Sequence, residues 1–302
     1  NLAKSSSVNG VGTRVKELEK MELLERPIHN KSIKLNFEYE KSSFKDVLQV
    51  KNLTVKIDSK LIYNKINFNI LKGEKVAIIG KNGIGKTTLL KAIQKQIEYD
   101  GMVKWGENVK ISYFDQENKN INLENTVIDE IHNRFKNITD LELRKLYAKL
   151  LITDDMVFKK IKELSGANKA KVVFAILMLE KSNVLILDEP TNHLDYLAKE
   201  ELNRALKDYE GTIIFVSHDR YLLNNVATKL IEVLPENINI YEGNYEYYLN
   251  NKIEQKQVKK IDNSITREKN ILLQNEKKKL ASIERKIQKL EDEIKCLNEK
   301  IS

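Results

Sequence analysis

Cysteine occurs once in 302 residues, at Cys296, which excludes an internal disulfide and suits a reducing compartment. No run of 18 apolar residues occurs, which excludes a membrane-spanning helix in this stretch. No signal-peptide pattern is visible. Tryptophan occurs once, at Trp105, inside a strand-like run where it reads as sheet packing. Acidic residues are the scarcer charge, 44 against 52 Lys and Arg, so the net charge is +8. That balance favours an anionic partner such as RNA. Hydrophobic residues make up 41%, enough for a core, and the length permits one large domain with appendages or two domains. The chain begins with Asn1 rather than Met, so a piece of a longer protein is expected.

The stretch Gly80-Lys81-Asn82-Gly83-Ile84-Gly85-Lys86-Thr87 reads G-x-x-x-x-G-K-T, the phosphate-binding loop pattern. It follows the apolar run Lys75-Val76-Ala77-Ile78-Ile79, a buried parallel strand by pattern. It precedes Thr88-Leu89-Leu90-Lys91-Ala92-Ile93, which reads as a helix. Strand, glycine loop and helix are the context the motif needs. Glycines let backbone N–H groups close around phosphate oxygens, and the helix N-terminus adds its dipole. Lys86 is placed to reach the β- and γ-phosphates and Thr87 to ligate Mg²⁺.

Two more apolar strands end in polar chemistry. Val184-Leu185-Ile186-Leu187 runs into Asp188-Glu189, and Thr212-Ile213-Ile214-Phe215-Val216 runs into Ser217-His218. In open α/β sheets the ligand crevice lies at such carboxyl ends. Ahead of the phosphate loop, Val47–Val50, Leu53–Ile57 and Ile66–Ile70 look like three short strands, and residues 99–105 and 109–114 add two more. Residues 123–163 read as helical and polar, residues 169–180 and 198–209 as helices, and residues 30–45 as a charged connector. Residues 13–25 read as a helix, expected to be either a solvated linker or a partner contact. From about Tyr245 the chain reads as a long charged helix. Leu280, Ile283, Ile287, Leu290, Ile294, Leu297 and Ile301 step by 3 and 4, an a/d heptad seam. Its lysine-rich face is either a solvated coil surface or a contact with RNA or protein. Tyr245, Tyr247 and Tyr248 either pack on the body or stack on RNA bases.

In this order the motifs resemble the nucleotide-binding domain of ATP-binding cassette (ABC) proteins. Gly80–Thr87 is similar to the Walker A loop, Gln116 to the Q-loop glutamine, and Leu164-Ser165-Gly166-Ala167-Asn168-Lys169 occupies the signature position. Val184–Asp188 is similar to Walker B, Pro190–Asp195 to the D-loop, and His218 to the switch histidine. Asp188–Asp195, Ser217-His218-Asp219-Arg220-Tyr221, Tyr241–Tyr248 and the trailing coil resemble the ABC-F group. Those are soluble two-cassette factors that act on the ribosome.

The resemblance implies an α/β P-loop NTPase of the ABC type: a RecA-like core, an antiparallel β subdomain, a helical subdomain and a C-terminal coiled-coil helix. It implies the end of an inter-cassette linker at 1–45, the cassette at 46–250 and a charged coiled-coil extension at 251–302. The upstream cassette would be an intramolecular partner, ribosomal RNA a further one, and the compartment the cytoplasm. A cassette dimer is open to the isolated fragment. ATP and Mg²⁺ are the implied cofactors. Gly80, Lys81, Asn82, Gly83, Ile84, Gly85, Lys86, Thr87 and Thr88 would bind nucleotide. Thr87, Gln116 and Asp188 would hold the metal, directly or through water. Glu189 would polarise water, Gln116 would place it, and His218 would contact the γ-phosphate. Ser165 and Gly166 would bind ATP held by the other cassette.

Two departures stand out. The family has two glycines followed by Glu or Gln after the signature serine, where this chain has Gly166-Ala167-Asn168. The Ala167 methyl group is expected to crowd the phosphate or to demand a glycine-like conformation, and so to slow hydrolysis. Where such cassettes stack adenine on an aromatic ring, this chain has Ile57, with Tyr63 nearby but offset, so GTP is expected to compete. A transporter ATPase subunit, a chromosome-maintenance head and a non-hydrolysing scaffold are the competing functions.

Overall fold

The computed structural model describes residues 32–115, 121–253, 274 and 277–291. The expectations for residues 1–31, for Gln116 and for the heptad positions beyond 291 lie outside these.

Two sheets carry the fold. The first is antiparallel, with β1 (Asp46–Ile57) between β2 (Lys60–Leu71) and β4 (Asp100–Trp105). The two short strands read at 47–57 are one strand, β1. The break in its pattern is a bulge around Asn52, which has φ 49° and whose N–H donates to Asn67 Oδ1 at 2.8 Å.

The second sheet has six strands in the order β5-β6-β7-β3-β8-β9. These are β3 (Lys75–Ile79), β5 (Ile111–Phe114), β6 (Val184–Asp188), β7 (Thr212–Val216), β8 (Lys229–Leu234) and β9 (Asn237–Tyr241). All neighbours are parallel except β8 and β9. β6 and β7 are buried along their whole length, as sheets covered on both faces require.

Each strand feeds two apolar layers by alternation. Val76, Ile78, Ile186 and Ile214 face one layer with Leu89, Leu90 and the antiparallel sheet. Ala77, Ile79, Leu185 and Phe215 face the other with the remaining helices. Trp105 packs on the first layer and donates Nε1–H to the Ile93 carbonyl at 2.8 Å.

Seven helices have full bounds: α1 (Lys86–Ile93), α2 (Val127–Arg134), α3 (Asp140–Leu150), α4 (Asp154–Val157), α5 (Gly166–Glu180), α6 (Tyr196–Asp208) and α7 (Arg220–Val226). The 123–163 stretch, read as helical, holds three α-helices and a 3-10 turn at Ile161–Glu163. Thr126 caps α2 and Thr139 closes a capping box with Glu142 on α3, and these turns break it up. Residues 245–253 and 277–291 are also helical. Leu280, Ile283, Ile287 and Leu290 are exposed there, so the seam meets no mate among the described residues.

The connector read at 30–45 is not solvated throughout. Ile33, Leu35 and Phe37 are buried, and Leu35 N–H donates to the buried Glu201 carboxylate at 2.8 Å. Alternation at those three positions sets them into the helical face of the core, so the folded body begins ahead of residue 46.

Candidate active site

β6, β7 and β3 are adjacent in the sheet, so the three chain segments leaving their carboxyl ends lie side by side. Those segments hold Asp188-Glu189, Ser217-His218 and the Gly80–Thr87 loop. Thr87 and Asp188, 101 positions apart in sequence, meet here because parallel strands align their ends.

Gly80, Gly83 and Gly85 have φ of 153°, 73° and 118°. At Gly85 the reason is also steric. A Cβ there would lie 2.7 Å from Ile62 Cγ2 and 3.2 Å from the Tyr63 hydroxyl. Lys86 folds back inside the loop, its Nζ donating to the Gly80 and Lys81 carbonyls at 3.0 and 3.1 Å. Burial lowers its pKa, and the carboxylates of Glu189 and Asp188 oppose that shift.

Thr87 Oγ1 donates to Asp188 Oδ2 at 2.8 Å, joining α1 to the end of β6. Asp188 Oδ1 is buried without a hydrogen-bond partner in the protein. Burial raises the Asp188 pKa, and the Thr87 hydrogen bond opposes it. Glu189 follows with φ 50°, its N–H still bonded to the Val216 carbonyl at 3.0 Å. Its Oε1 lies 3.5 Å from His218 Nε2, too long for a good hydrogen bond, and is otherwise unpartnered. Burial raises the Glu189 pKa, and His218 pulls the other way.

These orphaned oxygens test the implied cation. A buried carboxylate oxygen without a donor costs free energy unless a cation or water meets it. Among the described residues no three His, Cys, Asp or Glu side chains converge as a closed metal cage. One hydroxyl and one carboxylate fit Mg²⁺, which is held by few protein ligands together with substrate phosphates. Thr87 and Asp188 would hold it, and it would neutralise charge on the β- and γ-phosphate oxygens. Gln116 lies outside the described residues, so its assigned place in this shell carries no geometry.

The signature segment stands apart from this cluster. Ser165 caps α5, its Oγ accepting from Asn168 N–H at 3.3 Å. Ala167 lies in the first turn of α5 and is not among the residues of positive φ. The expected need for a glycine-like conformation at Ala167 is thereby removed, and only the bulk of its methyl group remains. Gly166 is constrained instead, since a Cβ there would lie 3.1 Å from His193 Cγ. His193 thus fits against the start of α5, and Asp195 ends the turn by capping α6 through Ala198 N–H at 2.8 Å.

Tyr63 is fully buried and its hydroxyl donates to the Gly85 carbonyl at 2.8 Å, so its ring is closed to a base. Ile57 is 41% exposed at the end of the β1–β2 hairpin.

Sequence reasoning passed over one element beside the site. A cavity of about 540 Å³ adjoins the phosphate loop, lined by Lys81, Ile84, His218, Arg220, Glu232 and Tyr248 among others. Glu232 is buried on β8. It accepts from Tyr241 Oη at 3.2 Å and Tyr248 Oη at 2.9 Å, and pairs with Lys252. Tyr248 and Tyr245 therefore pack on the body, while Tyr247 is exposed.

Residues 63–192 match the family described as ABC transporter. The chain is 39% identical over 265 residues to a putative ATP-binding protein, YdiF, of Bacillus subtilis, covering 87% of this chain and 41% of that protein. It is 36% identical over 252 residues to ABC transporter F family member 5 of Arabidopsis thaliana, covering 82% and 36%. It is 32% identical over 252 residues to Protein GCN20 of Saccharomyces cerevisiae, covering 82% and 33%. The chain thus spans between a third and a half of the length of these relatives. Among solved structures it is similar to cbiO1 of Clostridium perfringens, part of the ABC transporter complex cbiONQ. The TM-score is 0.53 at 24% identity, covering 70% of this chain and 94% of that one, a likeness of fold.

Proposed function

The chain carries an ABC transporter ATP-binding domain, and from that premise we propose that it is the second, ATP-hydrolysing cassette of an ABC-F protein acting on the ribosome. One observation supports hydrolysis above all. Lys86, the Thr87–Asp188 pair and the Glu189–His218 pair converge at three adjacent strand ends. The relatives named as F family members support the narrower group. The ribosome enters through the resemblance to that group, and the cytoplasm with it. No helix among the described residues is long and apolar enough to cross a membrane.

In this reading the loop N–H groups and Lys86 bind the phosphates, and bound Mg²⁺ supplies charge neutralisation. Glu189 holds the attacking water and accepts its proton, for which burial and the raised pKa suit it. His218, half-exposed and next to Glu189, faces the transferred phosphate and reports its loss. Ser165 and Gly166 serve ATP bound by the upstream cassette. The fragment alone is then a binder with weak turnover, since its own ATP lacks the opposing signature.

The test uses the full-length protein with Glu189→Gln and the equivalent change in the upstream cassette. Loss of the base traps ATP, so sedimentation with ribosomes should require ATP and disappear with Lys86→Ala. Trapped protein that stays free of ribosomes and collects at membranes would move the reading to a transporter ATPase subunit.

A further inference from the structure

The loop residues that bind phosphate must be aimed, and the phosphate loop has no side-chain cap to aim them. Gly85 is the N-cap of α1 and offers no side chain. Its carbonyl accepts twice, from Leu89 N–H at 2.9 Å and from Tyr63 Oη at 2.8 Å. The first is the ordinary opening bond of the helix. The second comes from another sheet, 22 residues earlier.

Tyr63 is held firmly. It pairs with Val55 across the β1–β2 hairpin and bridges to Glu236 in the β8–β9 turn. The next residue, Asn64, donates its N–H to the Glu236 carbonyl at 2.9 Å. The ring is fully buried in the layer that holds Leu89, Leu90 and Ile93 of α1. Burial raises the phenol pKa, so the hydroxyl stays protonated and remains a donor. A buried Tyr hydroxyl with a single fixed acceptor defines a direction.

That direction matters because the Gly85–Lys86 peptide is trans, with no cis bond among the described residues. In a trans peptide C=O and N–H point to opposite sides. A carbonyl drawn toward the buried Tyr63 turns the Lys86 N–H to the opposite side of the peptide, away from Tyr63. That N–H is among the first-turn donors that α1 cannot satisfy internally.

We propose that Tyr63 is a positioning residue for nucleotide phosphate: its hydroxyl pins the Gly85 carbonyl and so aims the free N–H groups at the start of α1. The proposal rests on the ATP-binding reading above. It makes the antiparallel sheet a support for phosphate binding, independent of any contact with the base.

The experiment compares the full chain with Tyr63→Phe and Tyr63→Met, which fill the site without a hydroxyl. Affinity is measured by calorimetry for Mg²⁺-ATP and for inorganic tripolyphosphate, which has no base. Tyr209→Phe is the control, a buried tyrosine remote from the loop whose hydroxyl bonds the Ser182 carbonyl. Both Tyr63 variants should lose about fivefold in affinity for both ligands, the value of one hydrogen bond. Tyr209→Phe should lose none, although its apo melting temperature falls by as much as that of Tyr63→Phe. Parental affinity in either Tyr63 variant overturns the proposal. So does a loss for ATP without a loss for tripolyphosphate, which would put Tyr63 at the base. A parent chain that binds neither ligand sinks the ATP-binding reading and the proposal with it.

Discussion

Replacing Lys252 by Met keeps the aliphatic stem and removes the ammonium that faces Glu232. Burial alone would raise the Glu232 pKa, but Lys252 and the hydroxyls of Tyr248 and Tyr241 outweigh it and hold the carboxyl below its usual range. After the change the carboxylate keeps its two phenol donors and loses its counter-charge. Breaking a fully buried pair costs about 3–5 kcal/mol, while an exposed pair is worth about 0–1 kcal/mol. The Glu232 side chain is 6% exposed and that of Lys252 38%, so solvent screens one side only. An intermediate loss of about 2 kcal/mol is expected. The double variant Glu232→Gln/Lys252→Met should recover part of it, because the uncompensated charge is gone. The pH dependence has a definite sign. A depressed folded pKa contributes stability above the unfolded value, about 4.3, and loses it as pH falls through the lower folded value. The gap between parent and Lys252→Met should therefore be full at pH 7 and close below about pH 4. Urea unfolding at both pH values reads it. A gap under about 0.5 kcal/mol at pH 7, the scatter of surface substitutions, or one that persists unchanged in acid, would refute this account of the pair.

Four further outcomes are expected. Glu189 must be deprotonated to accept a proton and burial raises its pKa, so turnover in the two-cassette protein should fall on the acid side at a pH above that of an ordinary glutamate. Glu189→Gln should remove on the order of 10²–10⁴ of that rate in a phosphate-release assay, with nucleotide binding retained. Ala167→Gly should raise turnover at the site served by this signature. Because the backbone is already helical at Ala167, an unchanged rate would show that its methyl group is harmless. Ile57→Tyr should tighten ATP binding by about five- to tenfold if one stacking contact forms, and GTP alongside it, since both purines stack; binding titrations with both nucleotides decide it.

Much of the site was legible because its strands are short, wholly apolar and followed by motif residues. The Val184–Asp188 and Thr212–Val216 runs are buried along their length, and burial on both faces is what makes a sequence run stand out. β8 escaped for the opposite reason. Lys229 and Glu232 interrupt its apolar pattern, and both charges are buried against partners distant in sequence, Glu74 and Lys252. Only tertiary structure supplies those partners. α7 is a seven-residue helix, too short to show a period. Ile33, Leu35 and Phe37 did alternate, but the charges around them hid a signal of only three residues. Tyr63 looked like a neighbour of the base site because the sequence gives proximity along β2 and not the direction of the ring.

Glu232 stands opposite Ile79 in the β3–β8 ladder, and Ile79 immediately precedes Gly80. The helix at 245–253 hangs from Glu232 through Tyr248 and Lys252. Any pull on the trailing segment is therefore borne by the same rungs that end in the phosphate loop. A load applied at the tail would thus reach the phosphate loop through one strand pair, β8 on β3, rather than through a sheet edge.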